Sequence, residues 1–271
     1  MIESARTLTA LKRRIASLES RGAAHHAHFS FGHAPIDRVL GGGLARGRVH
    51  EFFAGEGGEA AATGLSLILA HLAGPEATTL WLRPATAAHQ GAPYGPGLAA
   101  LGIDPAHLLL GAMSDEAMLL RAAVEALRCP ALGALLLEIR GRAPRLDLTA
   151  SRRLTLAAEQ SGVTALLLRT DADPTPSAAD TRWRVAAAPS TPLPGNAPGM
   201  SAFDLTLLRH RGGRDGMAWR LTWDSERRQF GDGRDERDDH GRHEGGRDGG
   251  APLSRPALSL PAVRPAADRA A

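Results

Sequence analysis

A glycine-rich segment stands between a short apolar stretch and a helix-like pattern. Residues 49–53 are followed by Gly55-Glu56-Gly57-Gly58-Glu59-Ala60-Ala61, and the apolar run 67–70 comes soon after. A strand, a glycine-rich loop and a helix in this order are the layout of a phosphate-binding loop, in which backbone N–H groups and the helix N-terminus hold the anion. The sequence therefore predicts the architecture of a nucleotide site.

The side chains that would act on a nucleotide are missing from this loop. An active loop ends in Gly-Lys-Ser/Thr, because the lysine reaches the β- and γ-phosphates and the hydroxyl holds Mg²⁺. The corresponding positions here are Glu59, Ala60 and Ala61, and the chain's one lysine is Lys12. Glu56 and Glu59 also place negative charge where a triphosphate would bind. We therefore predict a degenerate loop with no cofactor and no metal, and the alternative is an unusual mode of nucleotide binding.

The composition is that of a folded protein with a small positive charge. The chain has 271 residues, 43% of them hydrophobic, and a net charge of +3, which permits contact with nucleic acid without requiring it. Its single cysteine, Cys129, excludes a disulfide framework within the chain and a zinc site built from several cysteines. We find neither a run of about eighteen apolar residues nor a signal-peptide pattern, so we expect a soluble, cytoplasmic protein.

Strand-like and helix-like patterns alternate through the middle of the chain. From residue 48 to residue 169 they predict β-α-β units, with helices at residues 63–73, at 114–127, where Ser114 is the N-cap, and at 149–161. Proline-punctuated strands follow at 183–187, 203–210 and 217–223. The expected fold is an α/β, RecA-like core: a mostly parallel central sheet flanked by helices, with antiparallel edge strands at the C-terminal end.

The two ends of the chain differ in composition from this core. We assign residues 1–30 to an N-terminal helix and a histidine-rich linker, residues 31–230 to the folded domain, and residues 231–271 to a disordered tail rich in Gly, Asp, Arg, Pro and Ala. The predicted helix carries a narrow apolar stripe formed by Leu8, Leu11, Ile15 and Leu18. The stripe could pack on the protein's own core or on a neighbouring protein, and its basic flanks could instead contact phosphates.

A group of arginines follows the most hydrophobic predicted strand, residues 135–139. Its members are Arg140, Arg142, Arg145, Arg152 and Arg153. Either they form a solvated face, or they make weak, salt-sensitive contacts with the phosphates of DNA. No aromatic residue stands among them to stack on bases.

The lead-in to the glycine-rich loop resembles that of RecA-type recombinases. The residues that carry the resemblance are Ile36-Asp37, Gly41-Gly42-Gly43-Leu44 and Gly47-Arg48-Val49-His50-Glu51. The similarity to recombinases continues through Leu101-Gly102-Ile103-Asp104 and the predicted strand at residues 135–139. The chain is also similar to the ImuA family over about residues 5–230, and this second resemblance is carried by the lysine-free loop, the His50-Glu51 before it, Arg182-Trp183-Arg184-Val185, Leu207 to Gly213, Trp219 and Trp223-Asp224. The family resemblance implies a role in damage-induced mutagenesis, with three partners: an ImuB-type inactive relative of Y-family polymerases, an error-prone C-family polymerase, and RecA as a further candidate.

Three departures from an active recombinase predict that the protein is not an enzyme. The loop lacks its lysine and hydroxyl, and Arg83-Pro84-Ala85 stands where a recombinase carries its water-activating glutamate. Glu138, the Walker-B-like acid, is a lone carboxylate and so a poor Mg²⁺ site. We expect a non-catalytic adaptor for translesion synthesis, located at the nucleoid during DNA damage. The alternatives are a SulA-type inhibitor of cell division and an ATP-dependent protein that binds single-stranded DNA.

Overall fold

The computed structural model describes residues 27–197 and 199–233. The strands are β1 (His28–Phe29), β2 (Leu44–Ala45), β3 (Val49–Ala54), β4 (Thr78–Pro84), β5 (Leu108–Met113), β6 (Leu132–Arg140), β7 (Thr164–Thr170), β8 (Thr181–Ala187), β9 (Ala202–His210), β10 (Ala218–Asp224) and β11 (Gln229–Asp232). The α-helices are α1 (Ala34–Leu40), α2 (Glu59–Ala73), α3 (Gly95–Ala100), α4 (Glu116–Leu127) and α5 (Leu148–Ser161).

One large mixed sheet organises the described part of the chain. Its nine strands lie in the order β11-β10-β9-β8-β3-β7-β6-β4-β5. The strands from β8 to β5 in this order pair in parallel, and β9, β10 and β11 extend one side as antiparallel strands. The predicted mostly parallel sheet, flanked by helices and bordered by antiparallel strands, is therefore confirmed.

The two faces of the sheet bury separate hydrophobic clusters. On β6, Leu136 belongs to the cluster that α2 covers, whereas Leu135 and Leu137 belong to the cluster covered by α4 and α5. Successive residues of a strand point to opposite faces, so a strand buried on both faces must be apolar at every position. This explains the uninterrupted apolar runs in β6 and β7.

Two helix starts differ from the sequence prediction. Helix α2 begins at Glu59 rather than at residue 63, so Glu59, Ala60 and Ala61 form its first turn instead of continuing the loop. Alanine favours helix, and an acidic residue in the first turn interacts favourably with the helix dipole. The predicted N-cap Ser114 was also wrong: Asp115 caps α4 by accepting a hydrogen bond from the N–H of Met118.

The strands after β7 build an aromatic core on the α2 side of the sheet. Trp183 of β8 is fully buried and stacks on Phe52 with ring centroids 6.4 Å apart. The ring of Phe230 in β11, a strand that the sequence pattern did not reveal, packs 5.7 Å from Phe31. β8 is an interior strand because it pairs with β3 on one side and with β9 on the other.

The predictions for the two chain ends concern mainly residues outside the described ranges. The apolar stripe Leu8, Leu11, Ile15 and Leu18 lies there, as does nearly all of the predicted tail. The described residues do extend slightly past the predicted limits of the domain, since His28 lies in β1 and β11 continues to Asp232. Within the described ranges, no helix combines the length and apolar character that a membrane span needs.

Candidate functional site: a degenerate phosphate loop

The glycine-rich loop between β3 and α2 is held against β8 by its own backbone. The N–H of Gly55 donates to the carbonyl of Val185 at 2.7 Å, and the N–H of Gly58 donates to the carbonyl of Gly55 at 2.9 Å. A Cβ atom at Gly58 would lie 2.9 Å from the Val185 oxygen, so this close approach requires glycine. Two N–H groups of the loop thus have protein acceptors.

The N-terminus of α2 carries an ion pair where a phosphate loop would hold its anion. Glu59, in the first turn of the helix, faces Arg140 at the end of β6. The Arg140 Nη1 and Nη2 atoms lie 3.3 and 3.2 Å from the two carboxylate oxygens of Glu59. A carboxylate in this position interacts favourably with the positive end of the helix dipole, so the chain places its own anion there.

The hollow above the loop is acidic. It has a volume of about 700 Å³, and Glu56, Glu59, Asp171 and Asp173 line it together with the loop glycines Gly55 and Gly57. Asp171 has a positive φ of 52°, which for residues other than glycine is adopted mainly by Asn and Asp. A bound triphosphate would meet repulsion from this lining, because like charges disfavour one another most strongly where solvent is partly excluded.

The Walker-B-like acid Glu138 is buried and already has partners. Its Oε2 atom accepts a hydrogen bond from the indole N–H of Trp81 at 3.0 Å and lies 3.3 Å from the Nε atom of Arg83 in an ion pair. The Arg83 guanidinium also stacks over the Trp81 ring at 4.8 Å. The end of β4 therefore supplies a cation to Glu138, close to where an active recombinase would carry a catalytic carboxylate.

The histidine and glutamate that precede the loop have structural partners. His50 is fully buried; its Nε2 atom lies 2.9 Å from the carbonyl of Ala45, and its Nδ1 atom lies 2.8 Å from the Thr181 hydroxyl. The neutral Nε2–H tautomer fits these contacts, because Nε2 then donates to the carbonyl and Nδ1 accepts from the hydroxyl. Burial is the main cause that lowers the pKa of His50, and nearby Asp180 opposes it.

The side chain of Glu51 has different partners from that of His50. Its Oε2 atom accepts hydrogen bonds from Arg182 Nε and the Ser177 hydroxyl, both at 2.8 Å. Arg182 in turn stacks over the ring of Phe53 at 5.2 Å. This buried ion pair ties β3 to β8 behind the glycine-rich loop.

The arginines considered as DNA contacts occupy different environments. Arg140 is paired with Glu59. Arg145 is exposed, and its backbone N–H donates to the carboxylate of Glu116 at 2.8 Å. Arg142 lines a second hollow of about 700 Å³, together with Asp147 and Leu148 at the start of α5. Arg152 and Arg153 are exposed on α5.

Sequence reasoning missed several charged residues near the loop. Arg169, at the end of β7, is 4% exposed and stacks over the ring of Phe53 at 5.7 Å, and burial lowers its pKa. Asp171 and Asp173 line the hollow above the loop as well as the second hollow beside it. The signal available was their position directly after a buried strand, because the carboxyl ends of neighbouring parallel strands meet at one edge of a sheet.

Comparison with known proteins agrees with this architecture at the level of fold. No family model matches the chain. Among solved structures, the RadB recombinase aligns with a TM-score of 0.51 at 16% sequence identity, covering 75% of this chain and 99% of its own. The chain is thus a RecA-like α/β protein.

Sequence comparison adds the family. Protein ImuA from two strains of Caulobacter vibrioides is 34% identical to this chain over 204 residues, which cover 69% of this chain and 80% of the relative. The chain belongs to the ImuA family. With its RecA-like fold, this makes it a protein related to DNA damage and mutagenesis.

Proposed function

We propose that this protein is a non-catalytic adaptor of an error-prone translesion synthesis complex. In this proposal the RecA-like domain serves as a scaffold for an ImuB-type protein and an error-prone C-family polymerase, with RecA as a further candidate partner. The proposed place of action is the nucleoid of the cytoplasm during the SOS response to DNA damage. The membership of the ImuA family supports this choice of complex and partners.

The main observation in favour of a non-catalytic protein is the ion pair between Glu59 and Arg140. It occupies the helix N-terminus with a protein carboxylate, at the position where a nucleotide phosphate would have to bind. Phosphoryl transfer depends almost wholly on positioning and on neutralising charge, and lysine and the Mg²⁺-binding hydroxyl supply both in active loops. The hollow above the loop is lined by carboxylates, whose negative charge would repel a nucleotide rather than neutralise it. This supports the role of a scaffold rather than that of an ATPase.

Nucleotide binding is tested by thermal unfolding of the full chain with Mg²⁺ and ATP. A ligand at one hundred times its dissociation constant would stabilise the fold by about 2.7 kcal/mol. That gain would raise the melting temperature by several degrees. We expect no saturable change. A lysine-bearing RecA-type recombinase is the positive control, and a saturable shift in this protein, or phosphate release stimulated by single-stranded DNA, would contradict the proposal.

The adaptor role is tested through the predicted N-terminal helix, which lies outside the described residues. Replacing Leu11 and Ile15 with Asp puts charge into an apolar stripe, so we expect co-purification with an ImuB-type protein to be lost while the melting temperature stays unchanged. The matched control replaces Thr9 and Ser17 with Asp, because these residues lie on the opposite face of the predicted helix. Equal binding by both double variants would remove the stripe from the proposal.

A further inference from the structure

The outer surface of α4 and α5 carries apolar and basic side chains together. The two helices pack side by side on one face of the sheet, where Leu119 of α4 and Leu154 of α5 belong to the same buried cluster. Away from the sheet, two leucines and a methionine are 40–55% exposed, and arginines lie among them in the sequence. We call this surface the α4–α5 face, and its members are Met118, Leu148, Leu156, Arg145, Arg152 and Arg153.

The exposed residues of α5 have a regular spacing. Leu148, Arg152 and Leu156 are four positions apart, so they lie along one side of the helix. The two leucines are about 12 Å apart along the helix axis. A segment that lies along this side of α5 therefore meets two apolar contacts with a cation between them.

The carboxylates of the two helices and their N-caps already have partners. Three of them accept hydrogen bonds from backbone N–H groups and two form ion pairs, and these acids are Asp115, Asp147, Glu116, Glu125 and Glu159. The side chains of Arg145, Arg152 and Arg153, by contrast, form no ion pair with any residue of the described ranges. The α4–α5 face thus offers positive charge to an anion from outside the domain.

The combination of leucine and arginine favours an acidic protein segment over a nucleic acid. Phosphates would pair with the arginines but would gain nothing from the exposed leucines, and no aromatic residue lies on the face to stack on bases. A helix with apolar residues two turns apart and carboxylates around them matches both kinds of side chain. Amphipathic helices bind in this way along grooves, through apolar anchors at helical spacing.

We propose that the α4–α5 face binds an acidic amphipathic helix of a partner protein. The apolar residues of that helix cover Leu148 and Leu156, and its carboxylates pair with Arg145, Arg152 and Arg153. This inference deepens the adaptor proposal and rests on it for the existence of a protein partner. It assigns a second contact surface, separate from the predicted N-terminal helix.

The first test measures binding of a labelled synthetic peptide to the full chain by fluorescence anisotropy. The probe is an alanine-rich peptide of about 15 residues, long enough to form a helix. It carries two leucines two turns apart on one face, with glutamates around them, and a control peptide of the same composition has its leucines on opposite faces. We expect the first peptide to bind about tenfold more tightly, because only it buries both leucines on α5. Absence of binding, or equal binding of the two peptides, overturns the proposal.

Variants of the face separate its apolar part from its charge. Leu148→Gln with Leu156→Gln keeps every arginine, so we expect the affinity for the peptide to fall about tenfold while the affinity for a single-stranded oligonucleotide stays the same. The matched control is Leu193→Gln with Met200→Gln, because these two residues are each 55% exposed in the segment between β8 and β9. The proposal does not survive if the α5 variant binds the peptide as tightly as the parent.

Arginine variants decide between a protein and a nucleic acid as the occupant. Arg152→Gln with Arg153→Gln should weaken peptide binding, with the larger effect at low salt, where charges are least screened. If this variant weakens binding of the oligonucleotide and leaves that of the peptide unchanged, the face belongs to nucleic acid and the proposal is wrong. These experiments involve neither the N-terminal stripe nor an ImuB-type protein, so the α4–α5 face and the adaptor function can fail separately.

Discussion

His50 and Glu51 show how single residues near a nucleotide loop can serve the fold alone. His50, on β3, hydrogen-bonds to the carbonyl of Ala45 and to the hydroxyl of Thr181 on β8. Glu51, the next residue of β3, pairs with Arg182 on β8. Glu138 follows the same rule, since Trp81 and Arg83 engage its carboxylate. Buried polar groups are costly unless they are hydrogen-bonded or paired, so these contacts fix the β3–β8 and β4–β6 neighbourhoods.

The buried neutral His50 predicts a loss of stability in mild acid. Burial lowers the pKa of His50 from its ordinary value of 6.5, so the unfolded state takes up the proton more readily than the folded state. The contribution of neutral His50 to the free energy of unfolding is therefore complete above about pH 6.5. It declines as the pH falls towards the lower pKa that His50 has in the folded state. His71, whose pKa is also lowered mainly by burial, adds to the same trend.

The measurement is the melting temperature as a function of pH in the parent and in His50→Gln. The glutamine side chain can donate to Ala45 and accept from Thr181 without titrating, so we expect a smaller fall in melting temperature on acidification. The variant His107→Gln, which removes a partly exposed histidine, separates this effect from a general loss of histidine. Identical pH profiles for the parent and His50→Gln would show that His50 does not contribute.

At the scale of elements, the first turn of α2 decides what the loop can do. Because the helix begins at Glu59, this residue lies at the positive end of the helix dipole and within reach of Arg140. Both partners are nearly half exposed, and exposed ion pairs contribute at most about 1 kcal/mol. The pair therefore matters less for the stability of the fold than for the charge and space it occupies at the loop.

At the scale of the whole molecule, a group of exposed arginines lies beside the acidic hollow. This distribution of charge determines how the protein could contact a nucleic acid. Arg142, Arg152 and Arg153 are exposed near the start of α5, whereas Asp171 and Asp173 line the hollow above the loop. Any contact with DNA in this region would depend on phosphates rather than bases, because the exposed cations have no aromatic residues interleaved with them in the sequence. Such binding would be weak and sensitive to salt.

This hypothesis gives a prediction for single-stranded DNA. If Arg142, Arg152 and Arg153 contact phosphates, replacing all three with Ala should weaken binding and lower the slope of log affinity against log salt by about 0.7 for each lost contact. Fluorescence anisotropy with a labelled oligonucleotide at several salt concentrations measures both quantities. Arg214→Ala is the control, because Arg214 is exposed between β9 and β10, and β9 ends beside the first residue of β8, at the opposite end of the parallel strands from Arg142. An unchanged slope in the triple variant would assign these arginines to a solvated face.

The sequence by itself determined the alternation of strands and helices from residue 48 to residue 169, the mostly parallel sheet and the missing lysine. These features follow from local periodicity and from residue types at fixed spacing, which are visible along the chain. The N-cap of α4 and the start of α2 were misplaced, because neighbouring polar and small residues satisfy the same local pattern.

Only the tertiary structure decided which distant residues meet. Glu59 and Arg140 are 81 positions apart, and His50 and Thr181 are 131 positions apart, so neither contact leaves a local signal in the sequence. The acidic lining of the hollow and the interior position of β8 likewise depend on the order of strands in the sheet. Pairing between strands is a non-local interaction, and the fold alone brings such side chains together.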